Sequence, residues 1–466
     1  MSVRLVLHPA PLTHPIPSAN HSRVTLQAPA PIPGHPILGN LPAYRSDPLN
    51  FGRRVAATYG DVVRLRIFNR SLFLVSHPTY IHQILVTDAA KFQKSPVYRI
   101  FLGRALGDGL LTSEGTHWRR QRKLAQPAFH HKRIESYAET MVTYAEGAAS
   151  RWKSGETLRI DQEMARLTLE IVAQTLFSMD IRAQADRVGR ALSELLEAVT
   201  DATMQPVFLP AWLPTRTNRR IRAGVRELDS IIYPLIRARR QRSEDTGDLL
   251  SMLMLARDEV GQGMSDKALR DEAVTLVLAG HETTANALTW TWYLLSQHPE
   301  AEAKVHAELD DVLQGERPTL EHVRRLRYTE SVIKEAMRLY PPIPEFGRQA
   351  MAEVTLGEHL LPKGAIIIVP VYAMHHDARW FKEPDTFSPE RFLEADTALP
   401  KLAYLPFGGG PRVCIGNSFA QLEATLLLAT LAQRFRLSLE PAQTVSPEAT
   451  LTLRPKGGLR LRLHTR

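Results

Sequence analysis

A chain of 466 residues with 44% hydrophobic and 23% charged residues has the composition of a folded body with a large core, which excludes wholesale disorder. Its single cysteine excludes an internal disulfide and the secreted disulfide-scaffold class, and fits a reducing compartment, by default the cytoplasm. A net charge of +9 admits nucleic acid, an acidic membrane face or an acidic protein partner, but the arginines are scattered and no basic stripe interleaved with aromatics is present, which argues against nucleic acid.

Eight of the first 36 residues are proline, so residues 1–36 are expected to form an extended arm with little helix or ladder hydrogen bonding. The apolar run at the start stops at His8 and Pro9, and the run over 366–374 is interrupted by Pro370, so no signal peptide, bilayer span or membrane anchor is expected. From Asp61, the apolar positions Val62, Val63, Leu65, Ile67, Leu72 and Leu74 predict a hairpin turning at Asn69-Arg70. Beyond Pro78 the period is mostly helical, with segments over 134–152, 160–177 and 188–204. Strand-like runs return at 365–371 and 449–463, without βα alternation or an internal repeat, so the fold class is mainly α with small β-sheets.

One helix is predicted from Ser265, a plausible N-cap, to His298 just before Pro299. At about 1.5 Å per residue it would cross a whole domain, about 50 Å. Its middle, 273–279, is apolar on nearly every face, so it should be central and buried.

The run Phe407-Gly408-Gly409-Gly410-Pro411-Arg412-Val413-Cys414-Ile415-Gly416 precedes a helical segment over 417–435. The glycines permit backbone geometries that a Cβ forbids, and a helix N-terminus favours a thiolate, so Cys414 is expected to be poised as an anion. An inert buried thiol or a histidine-activated nucleophile would also fit a lone cysteine, but neither gives the glycines or Arg412 a role. A haem needs a thiolate, closely packed backbone and a cation near its propionates. The segment resembles the haem-binding signature of the cytochrome P450 family, Phe-x-x-Gly-x-Arg-x-Cys-x-Gly, and matches it at every defined position.

Other motifs follow in the order this resemblance implies. Within the apolar helix, Ala279-Gly280-His281-Glu282-Thr283-Thr284 breaks the local patterning, and a threonine there can bond back to a carbonyl one turn earlier and open space in the helix. The segment resembles the P450 oxygen-activation motif, which implies Glu282 as the acid, Thr283 as the oxygen-side hydroxyl and Ala279 one turn earlier, facing the haem. Glu335 and Arg338 share a helix face, and Phe387-Ser388-Pro389-Glu390-Arg391-Phe392 resembles the family segment that adds a second arginine, implying a structural triad of Glu335, Arg338 and Arg391. Trp118 and Arg122 in Trp118-Arg119-Arg120-Gln121-Arg122 resemble propionate contacts, joined by Arg412 and Arg348, while Phe407, Cys414 and Gly416 belong to the haem signature itself. Residues 96–101, Ile343, Phe346 and Leu451 fall in segments that line the family's substrate pocket and equally suit a core.

The resemblance runs over 31–463, including Pro31-Ile32-Pro33-Gly34, similar to the proline-rich hinge of anchored members. It implies the cytochrome P450 fold as a single haem domain over 37–466 behind the arm, in a soluble bacterial-type member. It further implies haem b with Cys414 as iron ligand, and a monooxygenase that hydroxylates a small hydrophobic substrate with O2. Fatty acids, terpenoids and carotenoids are the candidate substrates. Because the chain ends soon after Cys414, electrons are expected from a separate ferredoxin or flavodoxin with its NAD(P)H-dependent reductase. If Trp118 and Arg122 face inward, Arg120 and Lys123 point outward and should make a basic face for an acidic carrier. The competing readings are a hydrogen-peroxide-driven peroxygenase, which usually lacks the acid-threonine pair, a non-catalytic haem sensor, and a cysteine-histidine hydrolase.

Overall fold

The computed structural model describes residues 28–182, 185–203, 210–242, 246–393 and 399–466. Most of the proline-rich arm lies outside the described residues. Its end, 28–36, runs along the first strand: Ile32 N–H donates to Arg64 O at 3.0 Å, and the Ile32 side chain packs on Phe51, Val55, Val63, Leu65 and Leu74.

The fold is mainly helical with small sheets, as the patterning predicts. The central helix spans Asp266–Gln297, one residue inside the predicted limits at each end. Ser265 caps it by accepting from Ala268 N–H at 3.2 Å, and Pro299 opens the next helix, Pro299–Leu313. The central helix packs against Ile160–Phe177, Arg327–Leu339 and Asn417–Ala432, which explains why its middle tolerates no polar face.

The hairpin forms from Val62–Ile67 and Arg70–Val75, but Ile67 pairs with Arg70, so the turn is Phe68-Asn69, one residue earlier than expected. Arg66 accounts for the difference, because its guanidinium donates to Phe68 O at 3.0 Å and to His35 O and Pro36 O of the arm at 2.6 and 2.9 Å. A five-stranded sheet follows in the order Val62–Ile67, Arg70–Val75, Ile366–Val369, Phe346–Ala350, Phe92–Lys94. The strand expected over 365–371 stops at Val369, since Pro370 has no N–H for the ladder and the chain turns helical over Val371–His375. The segment expected over 134–152 divides into His131–Ser136 and Ala138–Ala149, with Tyr137 docked edge-on against Phe419 at the break. Among the described residues, no helix is long and apolar enough to cross a membrane.

One buried ion cluster joins the helices to the later loops. Arg338 donates from Nε and Nη2 to the two carboxylate oxygens of Glu335, both at 2.8 Å, and neither side chain has solvent exposure. Arg391, on the turn Pro389–Phe392, donates to Glu335 Oε1 at 2.9 Å, and Ser388 N–H reaches the same oxygen at 3.0 Å. The remaining Arg338 donors are taken by the carbonyls of His375, Pro384 and Thr386, so the charges are paired and the lone pairs occupied. Removing one partner leaves an uncompensated buried charge, so Glu335→Ala and Arg338→Ala should each lose about 3–5 kcal/mol of folding stability. Chemical denaturation measures this; a loss below about 1 kcal/mol, the scale of an exposed pair, would show that the cluster does not hold the loops.

Candidate functional site

The loop that carries Cys414 is fixed almost wholly by backbone. Cys414 N–H donates to Phe407 O, Gly408 N–H to Leu405 O and Val413 N–H to Gly410 O, each at 3.0 Å. The Arg122 guanidinium grips Val413 O at 3.0 Å. Gly410 has φ +66°, and a Cβ there would stand 1.7 Å from Leu85 O, so only glycine fits. Gly416 differs, with φ −89° and a Cβ position whose nearest neighbours are Phe129 Cε1 at 3.9 Å and Cys414 Sγ at 4.0 Å. The polypeptide itself does not require a glycine at 416.

Cys414 Sγ opens onto a cavity also lined by Ala279, Glu282, Thr283, Trp118, Arg348, Phe407 and Arg412. The structure thus brings the candidate residues of the thiol loop and of the central helix to one cavity, while Glu335, Arg338 and Arg391 lie outside its lining. Burial pushes the Cys414 thiol up, and the opposing pull of Gly416 N–H and Arg122 does not prevail. A cation at sulfur would favour the thiolate against that burial. A haem iron is such a cation. No histidine is among the described residues lining the cavity, which leaves a cysteine-histidine hydrolase without its base.

Opposite polarity marks the central helix. Thr283 Oγ1 donates to Ala279 O at 2.6 Å, the back-bond expected from sequence, while Ala279 faces the cavity. The helix nevertheless runs unbroken through these residues. Glu282 is enclosed and hydrogen-bonded to Thr452, and burial raises its pKa.

The rim gathers three basic side chains, Lys94, Arg348 and Arg412. Lys94 and Arg348 are direct partners on neighbouring antiparallel strands, an arrangement of like charges that destabilises a sheet. Arg412 lies over the Trp118 ring at 3.6 Å and pairs with Glu114, its guanidinium pulled down to about 10 by burial. Lys94 donates to Leu110 O and Leu111 O at 3.0 and 2.5 Å, and is driven well below its ordinary pKa by burial, then by Arg412 and Arg348. Glu114 is the carboxylate that meets this group directly, accepting from Lys94 N–H at 2.8 Å as well as from Arg412. The basic side chains of Lys94, Arg348 and Arg412, with Glu114 and Glu272 as the carboxylates acting on them, suit a ligand with its own carboxylates, and an apolar cavity with a thiol at one wall suits a flat macrocycle, so the residues fit a haem. Sequence reasoning missed Lys94 and Glu114; Lys94, between Gln93 and Ser95, carries no local signal.

Two further expectations change. Arg120 and Lys123 do point away from the cavity, but Arg120 pairs with Asp258 at 2.7 Å and bonds the carbonyls of Gln262 and Gly263, while Lys123 reaches Glu259 at 2.5 Å. The turn after Leu249–Leu255 therefore compensates the basic face proposed at those positions. Of the suggested pocket residues, Tyr98, Ile343, Phe346 and Leu451 line the cavity, whereas Phe101 is packed in the core and Pro96, Val97 and Ile100 border a separate surface depression.

Comparison with known proteins gives a match of the family described as "Cytochrome P450" to residues 29–461. Cyclooctatin synthase of Streptomyces melanosporofaciens is 38% identical over 441 residues, covering 94% of this chain and 95% of the relative. Cyclooctat-9-en-7-ol 5-monooxygenase of the same organism is 37% identical, covering 88% of this chain and 89% of the relative. Pentalenene oxygenase of Streptomyces avermitilis is 33% identical, covering 96% and 99%.

The two glycines of the thiol loop give a paired test. Gly410→Ala should cost about 1–3 kcal/mol, because strain and the Leu85 carbonyl both oppose it, while Gly416→Ala should change folding stability by no more than about 0.5 kcal/mol. Denaturation followed by tryptophan fluorescence distinguishes them; equal effects would contradict this account of the loop.

Proposed function

This chain belongs to the cytochrome P450 family and is a haem-thiolate monooxygenase, and from that premise we propose that it uses haem b to hydroxylate a polycyclic hydrocarbon of the terpenoid class. The observation that carries the reading is the meeting of Cys414 Sγ, the Ala279–Thr283 turn and the cationic rim in one largely apolar cavity. Cys414 would ligate the iron; Trp118, Arg122, Arg348 and Arg412 would hold the haem carboxylates, and Phe407, Gly416 and Ala279 would border the macrocycle. Glu335, Arg338 and Arg391 brace the thiolate side. When bound, haem supplies the iron at which dioxygen is reduced and one of its atoms is inserted into a C–H bond.

The protein's share is positioning and proton control. Leu102, Leu110, Val172, Leu176, Leu276 and Ile343 exclude water and hold the hydrocarbon. Thr283, its proton committed to Ala279 O, keeps its lone pairs open to a donor in the cavity. Glu282 holds a proton more readily than an exposed carboxyl because burial raises its pKa. A peroxygenase or a haem sensor would leave this enclosed acid and back-bonded hydroxyl without work. The relatives named for cyclooctat-9-en-7-ol and pentalenene favour a compact ring system over the fatty acids and carotenoids also considered.

Residues 37–466 are read as one catalytic domain, and the unpaired Cys414 suits a reducing cytoplasm. Electrons come from a ferredoxin or flavodoxin with its NAD(P)H-dependent reductase, and the net charge of +9 suits an acidic carrier.

The reduced carbon monoxide complex should show the strongly red-shifted Soret band of thiolate ligation, and Cys414→Ser should abolish it while haem remains bound. A band retained by that variant would remove the assignment. Thr283→Ala should keep haem and substrate binding but divert electrons to peroxide, measured as product per reduced nicotinamide; unchanged coupling would remove Thr283 from proton delivery.

A further inference from the structure

Glu282 lies in an apolar helix, yet its hydrogen-bond partner comes from a loop 170 residues later: Thr452 Oγ1 donates to Glu282 Oε1 at 2.7 Å. The loop is held on both sides of that hydroxyl. Thr450 donates from its backbone N–H and from Oγ1 to Thr452 O, both at 2.9 Å. Leu453 N–H donates to Pro342 O, and Leu453 O accepts from Trp290 Nε1 of the central helix, both at 3.0 Å. Thr452 is 3% exposed, and what exposure it has is to the cavity it lines. The adjacent residue, Leu451, lines the cavity together with Thr283 and Cys414. Farther along, Arg454 pairs with Glu448 at 3.1 Å and Glu197 at 3.4 Å, and Glu197 also meets Arg220 at 3.4 Å. One short segment therefore lines the cavity through Leu451 and Thr452, meets the acid through Thr452, and reaches the helices Ala185–Thr203 and Arg216–Arg242 through Arg454.

We propose that Thr452 is a positioning residue for Glu282: its hydroxyl occupies one carboxyl oxygen and fixes the orientation in which the other holds a proton for the cavity, tying that orientation to the substrate-lining Leu451. This rests on the assignment of Glu282 and Thr283 to proton delivery. Thr452 is suited to the task because a carboxyl turns about a single side-chain bond, and a hydrogen bond from a clamped loop selects one of its orientations. After burial, the Thr452 hydrogen bond is the largest influence on the acid, favouring its ionised form against burial, with Arg454 aiding it and Glu197 opposing.

The test compares Thr452→Val, Thr452→Ser and Glu282→Gln as holoenzymes, by infrared difference spectroscopy and by coupling. The carboxyl band that disappears in Glu282→Gln reports Glu282. It should shift in Thr452→Val, where no hydroxyl donates to Oε1, and return in Thr452→Ser. The ratio of hydroxylated product to peroxide should fall about fivefold in Thr452→Val, the scale of one hydrogen bond, and recover in Thr452→Ser. A purely structural role would not predict recovery of band and coupling together. Thr452→Ala gives the same comparison if the valine variant fails to fold. Parent-level coupling in the hydroxyl-free variant, in an enzyme that Glu282→Gln does uncouple, overturns the inference and leaves the proton-delivery assignment standing. Parent-level coupling in Glu282→Gln removes that assignment and the inference with it.

Discussion

The structure depends first on a carboxylate that has no access to water. Glu335 is held by the Arg338 guanidinium of its own helix and, from a turn more than fifty residues later, by the Arg391 guanidinium and the Ser388 N–H. Such a cluster adds little net stability compared with an apolar core, but it penalises every arrangement in which one partner is missing. Its influence reaches the thiol loop through His375. That ring is buried and pushed down to about 3, so it is neutral. Its Nε2 accepts from Leu405 N–H at 3.0 Å, which makes Nδ1 the donor to Arg338 O at 3.2 Å. Leu405 O in turn receives Gly408 N–H, so the ion cluster and the turn that presents Cys414 are three hydrogen bonds apart.

A second constraint is electrostatic and points outward from the polypeptide. Lys94 opposite Arg348, with Arg412 beside them, is an arrangement that folding alone would not select. An anionic ligand would offset that repulsion, so the same residues would favour the loaded fold. Binding and folding are linked in this way whenever a ligand meets only the native state. The thiol belongs to the same account, since burial opposes its ionisation and a metal ion would favour it.

What was legible in the sequence follows from how local each cause is. The central helix was predicted to within a residue at each end because Ser265 and Pro299 act within one turn. The thiol loop was legible because its glycines answer local backbone demands, although Gly410 owes its necessity to a carbonyl from residue 85 that no pattern reveals. Arg120 and Lys123 were placed on the correct side of their helix, but their ion-pair partners on the 258–263 turn are long-range and were hidden for that reason. The break at Tyr137 was equally hidden, being set by the ring packed on Phe419. Glu114, Lys94 and Thr452 escaped because each matters only through a residue distant in sequence.

The two walls of the cavity are built by different means, and the difference matches their work. Around Cys414, nearly every constraint is backbone: three N–H to carbonyl bonds, a glycine pressed on a carbonyl, and one guanidinium on a carbonyl. Such contacts cannot be re-aimed without unfolding the loop, which suits an atom that must stay at bonding distance from a metal. Across the cavity, the polar groups are side chains on rotatable bonds: the Thr283 hydroxyl, the Glu282 carboxyl and the Thr452 hydroxyl. Each makes one hydrogen bond whose net worth is about 1 kcal/mol, small enough to be exchanged at ordinary temperature. A rigid wall for the ligand and an adjustable one for the proton is what oxygen chemistry asks of a protein whose cofactor carries the reactive step.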